Sequence, residues 1–166
     1  MNIPYFHVDA FADRPFTGNQ AAVMPLDAWL PDDVLQAIGA ENNFAETAFV
    51  VKDRTGAADY ELRWFTPTSE VTMCGHATLA SGHVILTRDG GQGVTFRTRQ
   101  AGVLEVRRDG GGYALSLPAT RVENREDQAL LSALRVKGEV HHSISGAEQT
   151  AIVRVKDEAA LRAMDV

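Results

Sequence analysis

The run from Ala77 to Leu86 constrains this chain more than any other stretch. Leu79, Ala80, Val84, Ile85 and Leu86 are apolar, Ala77, Ser81 and Gly82 are small, and no charged residue intervenes before Arg88. A helix that is apolar or small all round is normally enclosed on every side. No stretch of the chain nears the roughly 18 continuous apolar residues that a membrane-spanning helix needs. The expected architecture is therefore a buried central helix surrounded by strands.

The flanking sequence supplies those strands. Ile3 to Phe11, Gln20 to Met24, Glu46 to Val51 and Tyr60 to Phe65 read as strands from their apolar, β-branched and aromatic content. Pro31-Asp32-Asp33 opens a helix, because proline suits the first turn and acids suit the positive end of the helix dipole. Val34, Leu35 and Ile38 give that helix an apolar stripe. Val94 to Thr98, Val103 to Arg107 and Tyr113 to Leu117 follow as strands, with glycine turns between them. After Pro118 come a polar crossover (Arg121 to Asp127), a short helix around Leu130, Leu131 and Leu134, two strands (Val140 to Ile144, Thr150 to Val155) and a helix from Asp157, a plausible N-cap, to Met164. The expected fold class is α+β, a mixed β-barrel wrapped around a central helix. The expected division is residues 1–118 as that domain and 119–166 as a second domain cut short.

Composition narrows the function classes. With 45% hydrophobic and 23% charged residues among 166, the chain has the content of a globular protein rather than a disordered one. A net charge of −6 argues against a binder of nucleic-acid backbones, which needs a basic face. The single cysteine, Cys74, excludes an internal disulfide framework. Met1 to Ala10 lacks a basic segment followed by an apolar one, so a cytoplasmic protein with no membrane association is expected.

The richest stretch for chemistry runs from Trp64 to Thr78 and leads into the enclosed helix. The start of such a helix carries free N–H groups and a positive dipole end, which favour an anion. Gly75 leaves room for a ligand to approach the backbone, with Cys74 and His76 on either side. A thiol at a helix N-terminus is expected to gain thiolate character, whereas a cysteine that merely fills core space does not. Glu46 stands where an apolar strand begins. A carboxyl group in partly apolar surroundings can work as a general acid or base, while one at an exposed strand end is only solvated. No metal is expected, because Cys74 and His76 make two donors where zinc sites use three or four. Neither His83 nor the His141-His142 pair is placed to share one. The turn at Phe16-Thr17-Gly18-Asn19 is weak as a motif on physical grounds.

Three segments, FHVDAFADRPFTGNQAAV (6–23), NNFAETAFV (42–50) and RWFTPTSEVTMCGHATLA (63–80), together resemble the phenazine biosynthesis PhzF-like family. The resemblance implies the fold of diaminopimelate epimerase, in which two similar domains each wrap a barrel around a helix and the active site lies between them. It implies a cofactor-independent isomerase that relocates a proton on a small carboxylate-bearing substrate. By that resemblance Glu46 is the acid/base carboxylate, Gly75, His76 and Asn19 hold substrate, and Cys74 is a second acid/base candidate through its likeness to the epimerases' cysteine loop. A homodimer is also implied.

Two departures stand against the family pattern. Ala45 replaces a serine common before the glutamate. The Asp and the Thr-Gly-Ser-Ala-type helix start of the family's second domain do not occur between Pro118 and Val166. The alternative expectation is thus a non-catalytic binding or interaction module that uses the half-cleft.

Overall fold

The computed structural model describes residues 2–145 and 149–164. The chain divides into two compact units, Met1–Leu117 and Pro118–Val166. In the first, strands β1 (Phe6–Ala10), β2 (Asn19–Leu26), β3 (Glu46–Lys52), β4 (Tyr60–Phe65), β5 (Glu70–Val71), β6 (Gly93–Arg97), β7 (Val103–Asp109) and β8 (Gly112–Ser116) accompany helices α1 (Asp32–Asn42) and α2 (Gly75–Asp89). The strand order is β1-β2-β3-β4-β6-β7-β8, with β5 paired to β4. The sheet is antiparallel except where a helix intervenes. β2 and β3 are parallel across α1, and β4 and β6 are parallel across α2.

Those two crossovers place their helices on opposite faces. Helix α1 covers the outer face through a cluster of Leu35, Met24, Phe49 and Phe65. Helix α2 lies inside the curl of the sheet, against Ala21, Val23, Ala48, Val50, Leu62, Trp64, Phe96, Leu104 and Val106. It meets β1, β2, β3, β6, β7 and β8. The buried helix expected from Ala77 to Leu86 is thus present, but with His83 exposed at the opening between β1 and β8 it is not enclosed on every side. Its buried hydroxyls are satisfied within the helix, where Thr78 donates to the Cys74 carbonyl and Ser81 to that of Ala77. Strands β2 and β3 are covered on both faces over most of their length, and their central residues are continuous apolar runs. β4 is as well covered but carries Glu61 and Arg63 among its apolar residues. β7 alternates buried and exposed along Val103 to Val106.

The curl is a half-barrel, with β1 and β8 as its edges. Between them lies a cavity of about 510 Å³ with Leu79, Ala80 and His83 of α2 on its floor. β1 is shorter than the Ile3 to Phe11 strand read from the sequence. Phe11 adopts a left-handed backbone (φ 61°), and Phe16 does the same (φ 69°), which turns the chain toward β2. Both rings are exposed.

In the second unit, β9 (Val122–Asn124), β10 (Gly138–Ser143) and β11 (Ala151–Val155) form an antiparallel sheet in the order β11-β10-β9, with α3 (Gln128–Ala133) and α4 (Glu158–Arg162). Asp127 and Asp157 cap the two helices through the N–H groups of Leu130 and Ala160. The crossover expected over Arg121 to Asp127 contains β9. All three of its residues are exposed, so it carries no buried-face alternation to reveal it. Among the described residues, no helix is long and apolar enough to cross a membrane.

Candidate active site

Glu46 is the first residue of β3 and owes its position to the way α1 ends. Asn43 adopts the left-handed conformation (φ 51°) that terminates the helix, and its N–H bonds to the Gly39 carbonyl. The Asn42 amide then donates to Thr47 Oγ1 at 3.0 Å, fastening the helix end to the strand start. Side chains alternate along a strand, so Glu46 shares its face with Ala48 and Val50, the face packed on α2. In the β2–β3 register Ala21 is opposite Glu46. Asn19 therefore continues the same inner face of β2 at the same end of the sheet. It is exposed.

The loop between β4 and α2 is built chiefly by Arg63. Its guanidinium, 4% exposed, donates to both carboxylate oxygens of Glu70 at 2.8 Å and to Asp32 at 2.9 Å. It lies over the rings of Trp29 and Phe65. Arg99 adds a second contact to Glu70 at 3.0 Å. Upstream, the Thr66 hydroxyl accepts from the N–H groups of Thr68 and Ser69. Most of the Thr66 to Val71 stretch therefore serves as scaffold, and it delivers Cys74, Gly75 and His76 to the head of α2. The Arg63–Glu70–Asp32 network is absent from the expectations drawn from sequence. Its signal was a lone cation between Leu62 and Trp64, since a buried charge needs partners.

At the head of α2, Cys74 occupies the N-cap position with extended backbone. Its Sγ lies 3.4 Å from His76 Nδ1. His76 Nε2 in turn lies 3.2 Å from Glu46 Oε2. That pair is close but not aligned as a hydrogen bond, and both atoms are buried with no hydrogen-bond partner among the described residues. The structure thus brings Glu46, Cys74 and His76 into one cluster, with one donor atom from each within 4.8 Å of the others. Two zinc-type donors adjacent in sequence become three in space.

The expectation of thiolate character at Cys74 is corrected. Burial pushes its thiol up to about 12, and the neighbouring Glu46 carboxylate adds to the rise. The N–H groups of Ala77 and His76 oppose this only in part. Desolvation outweighs the helix start because the sulfur is almost wholly enclosed. Gly75 has no left-handed backbone. A β-carbon there would meet only ordinary contacts, with Leu117 at 3.6 Å and Leu115 at 4.0 Å. Neither backbone conformation nor internal packing requires glycine at this position.

Comparison with known proteins gives a consistent result. The family model described as phenazine biosynthesis-like protein matches residues 8–166. An uncharacterized isomerase of Pseudomonas aeruginosa is 56% identical over 125 residues, covering 74% of this chain and 47% of that protein. An uncharacterized isomerase of Halalkalibacterium halodurans is 38% identical over 142 residues, covering 82% of this chain and 52% of that one. A phenazine biosynthesis PhzC/PhzF protein from Clostridium difficile superposes with a TM-score of 0.81 at 37% identity, over 99% of this chain and 62% of that structure. The chain spans about half the length of the curated relatives it matches.

Proposed function

The chain belongs to the phenazine biosynthesis-like protein family, and on that footing we propose that it is the N-terminal half of an isomerase. The relatives named as isomerases support the reaction class. In this reading Glu46 takes a proton from one carbon of a small carboxylate-bearing metabolite and returns it at another. The bonding rearranges between them, and no electrons enter or leave. The substrate carboxylate rests on the N–H groups at the start of α2 beside Gly75. His76 and Asn19 position it, and Cys74 packs beside the site without carrying protons. No cofactor takes part.

One observation carries the proposal: the buried, unpartnered contact between Glu46 Oε2 and His76 Nε2. Buried polar atoms without partners are costly, and two that face each other at the mouth of a helix N-terminus are groups held ready for a ligand. A general acid/base contributes typically about 10²–10⁴-fold. Positioning and exclusion of water supply the rest, and these need the cleft closed by a second half of the length the relatives carry. Homodimerisation, read by sedimentation, belongs to the same proposal.

The test is proton exchange. The chain joined to such a second half is incubated in deuterated water with a panel of unsaturated amino acids and related carboxylates. Deuterium incorporation at carbon, with a shifted double bond, is expected for at least one of them. Binding of a carboxylate without any exchange would leave a binding module in place of an enzyme.

A further inference from the structure

We propose that Glu46, Cys74 and His76 together form a binding site for a zinc-class divalent cation. One donor atom from each residue lies within 4.8 Å of the other two; Glu46 Oε2 is 3.2 Å from His76 Nε2, and Cys74 Sγ is 3.4 Å from the other ring nitrogen, Nδ1. Zinc holds its ligands at about 2.0–2.3 Å in a tetrahedron, which puts neighbouring donors roughly 3.3–3.6 Å apart. A cation takes only one ring nitrogen, so side-chain rotation at Cys74 and His76 must bring the sulfur and that nitrogen onto a common centre with Glu46, closing separations that now lie within 4.8 Å.

A second observation points the same way. The His76 side chain is 10% exposed, and its Nε2 and Glu46 Oε2 are both buried without a hydrogen-bond partner among the described residues. Two buried polar atoms 3.2 Å apart that do not bond to each other both keep their capacity for a common partner. The donor set selects the ion. Magnesium and calcium take oxygen ligands, six or more for calcium, whereas sulfur with imidazole favours zinc and its spectroscopic substitute cobalt. Three protein donors leave the fourth position open to water. The thiol proton passes to solvent as the metal–sulfur bond forms, and nothing is oxidised.

The supports of the site are fixed in advance. Asn42 pins the start of β3 to α1, and Arg63 pins the loop before Cys74 through Glu70. The cation site does not rest on the isomerase reading. Where that reading also holds, a bound ion occupies Glu46 and His76 and silences proton transfer, so the site is an inhibitory one.

The experiment titrates the 166-residue chain with cobalt(II) and reads absorption. One equivalent is expected to bind with tetrahedral d–d bands and a sulfur-to-cobalt charge-transfer band, both lost when zinc is added and kept when magnesium is added. Cys74→Ser should abolish the charge-transfer band. Glu46→Gln and His76→Asn should each weaken cobalt binding by about a hundredfold or more, with circular dichroism confirming that each variant is folded. Absence of the charge-transfer band in the unmodified chain overturns the proposal whatever the variants do. So does a band that survives Cys74→Ser, or unchanged affinity in both other variants. Because no turnover is measured, failure here leaves the isomerase reading standing, and failure of that reading leaves this one standing.

Discussion

His76 Nε2 lies 3.2 Å from Glu46 Oε2, joining the first residue of β3 to the first turn of α2. The two elements meet there because α2 threads the inside of the curl and Glu46 is on the inner face of its strand. Removing the titrating group while keeping its shape isolates its role. In the chain completed by a second half, Glu46→Gln is expected to lower turnover by at least about a hundredfold, the low end of general acid/base effects. Near-normal turnover in that variant removes Glu46 as the proton carrier.

Cys74 is the rival carrier, and its environment argues against it. Burial holds the thiol at about 12, so thiolate is scarce at neutral pH and alkylation should be slow. Iodoacetamide is expected to modify the folded chain at least about a hundredfold more slowly than the unfolded chain. Proton exchange should persist in Cys74→Ala. Fast alkylation of the folded protein, or exchange lost in a folded Cys74→Ala that still binds ligand, would transfer the role to sulfur.

The two glycines of α2 are present for different reasons. A β-carbon at Gly82 would overlap both methyls of Val106 and lie 2.5 Å from its Cβ, so α2 and β7 approach only because that side chain is absent. Gly82→Ala gains about 1 kcal/mol of helix propensity against an overpacking cost of about 1–3 kcal/mol. With the neighbour a β-branched strand residue 0% exposed, the cost prevails. Thermal denaturation should show Gly82→Ala less stable, with Val106→Ala restoring part of the loss. Gly75→Ala should melt no lower than the parent and lose carboxylate binding. A Gly82→Ala variant as stable as the parent would mean that the helix can move off β7.

The legible parts of this molecule are those whose surroundings are uniform. α2 declares itself because it lacks a continuous polar face, and β2 and β3 because both of their faces are covered. β9 is invisible because none of its residues is buried. Arg63 is conspicuous in its apolar strand, but its partner Asp32 is 31 residues away, and local patterning carries no information about such a pairing. At the site, Cys74, Gly75 and His76 are neighbours in sequence, while Glu46 joins them only through the fold. The sign of the thiol shift depended on how deeply sulfur is enclosed, a property of packing that no spacing rule reports.

The acid limit of stability is expected to depend on Asp53. Its side chain is fully enclosed, and burial alone would raise its pKa. Donors from Thr55, Arg97 and Ala58 reverse that and hold it well below its ordinary value of 3.8. A carboxylate depressed in the folded state contributes stability that is fully present above its unfolded pKa and is lost as pH falls through the folded one. Asp53→Asn, which loses the charge and replaces one acceptor oxygen by a donor, should therefore lower the melting temperature at neutral pH. The gap to the parent should stay constant down to about pH 5 and narrow below about pH 4, where the unfolded chain begins to take up the proton. Melting curves of both proteins across that range provide the measurement. A gap independent of pH would show that Asp53 acts through shape alone, with its charge contributing nothing.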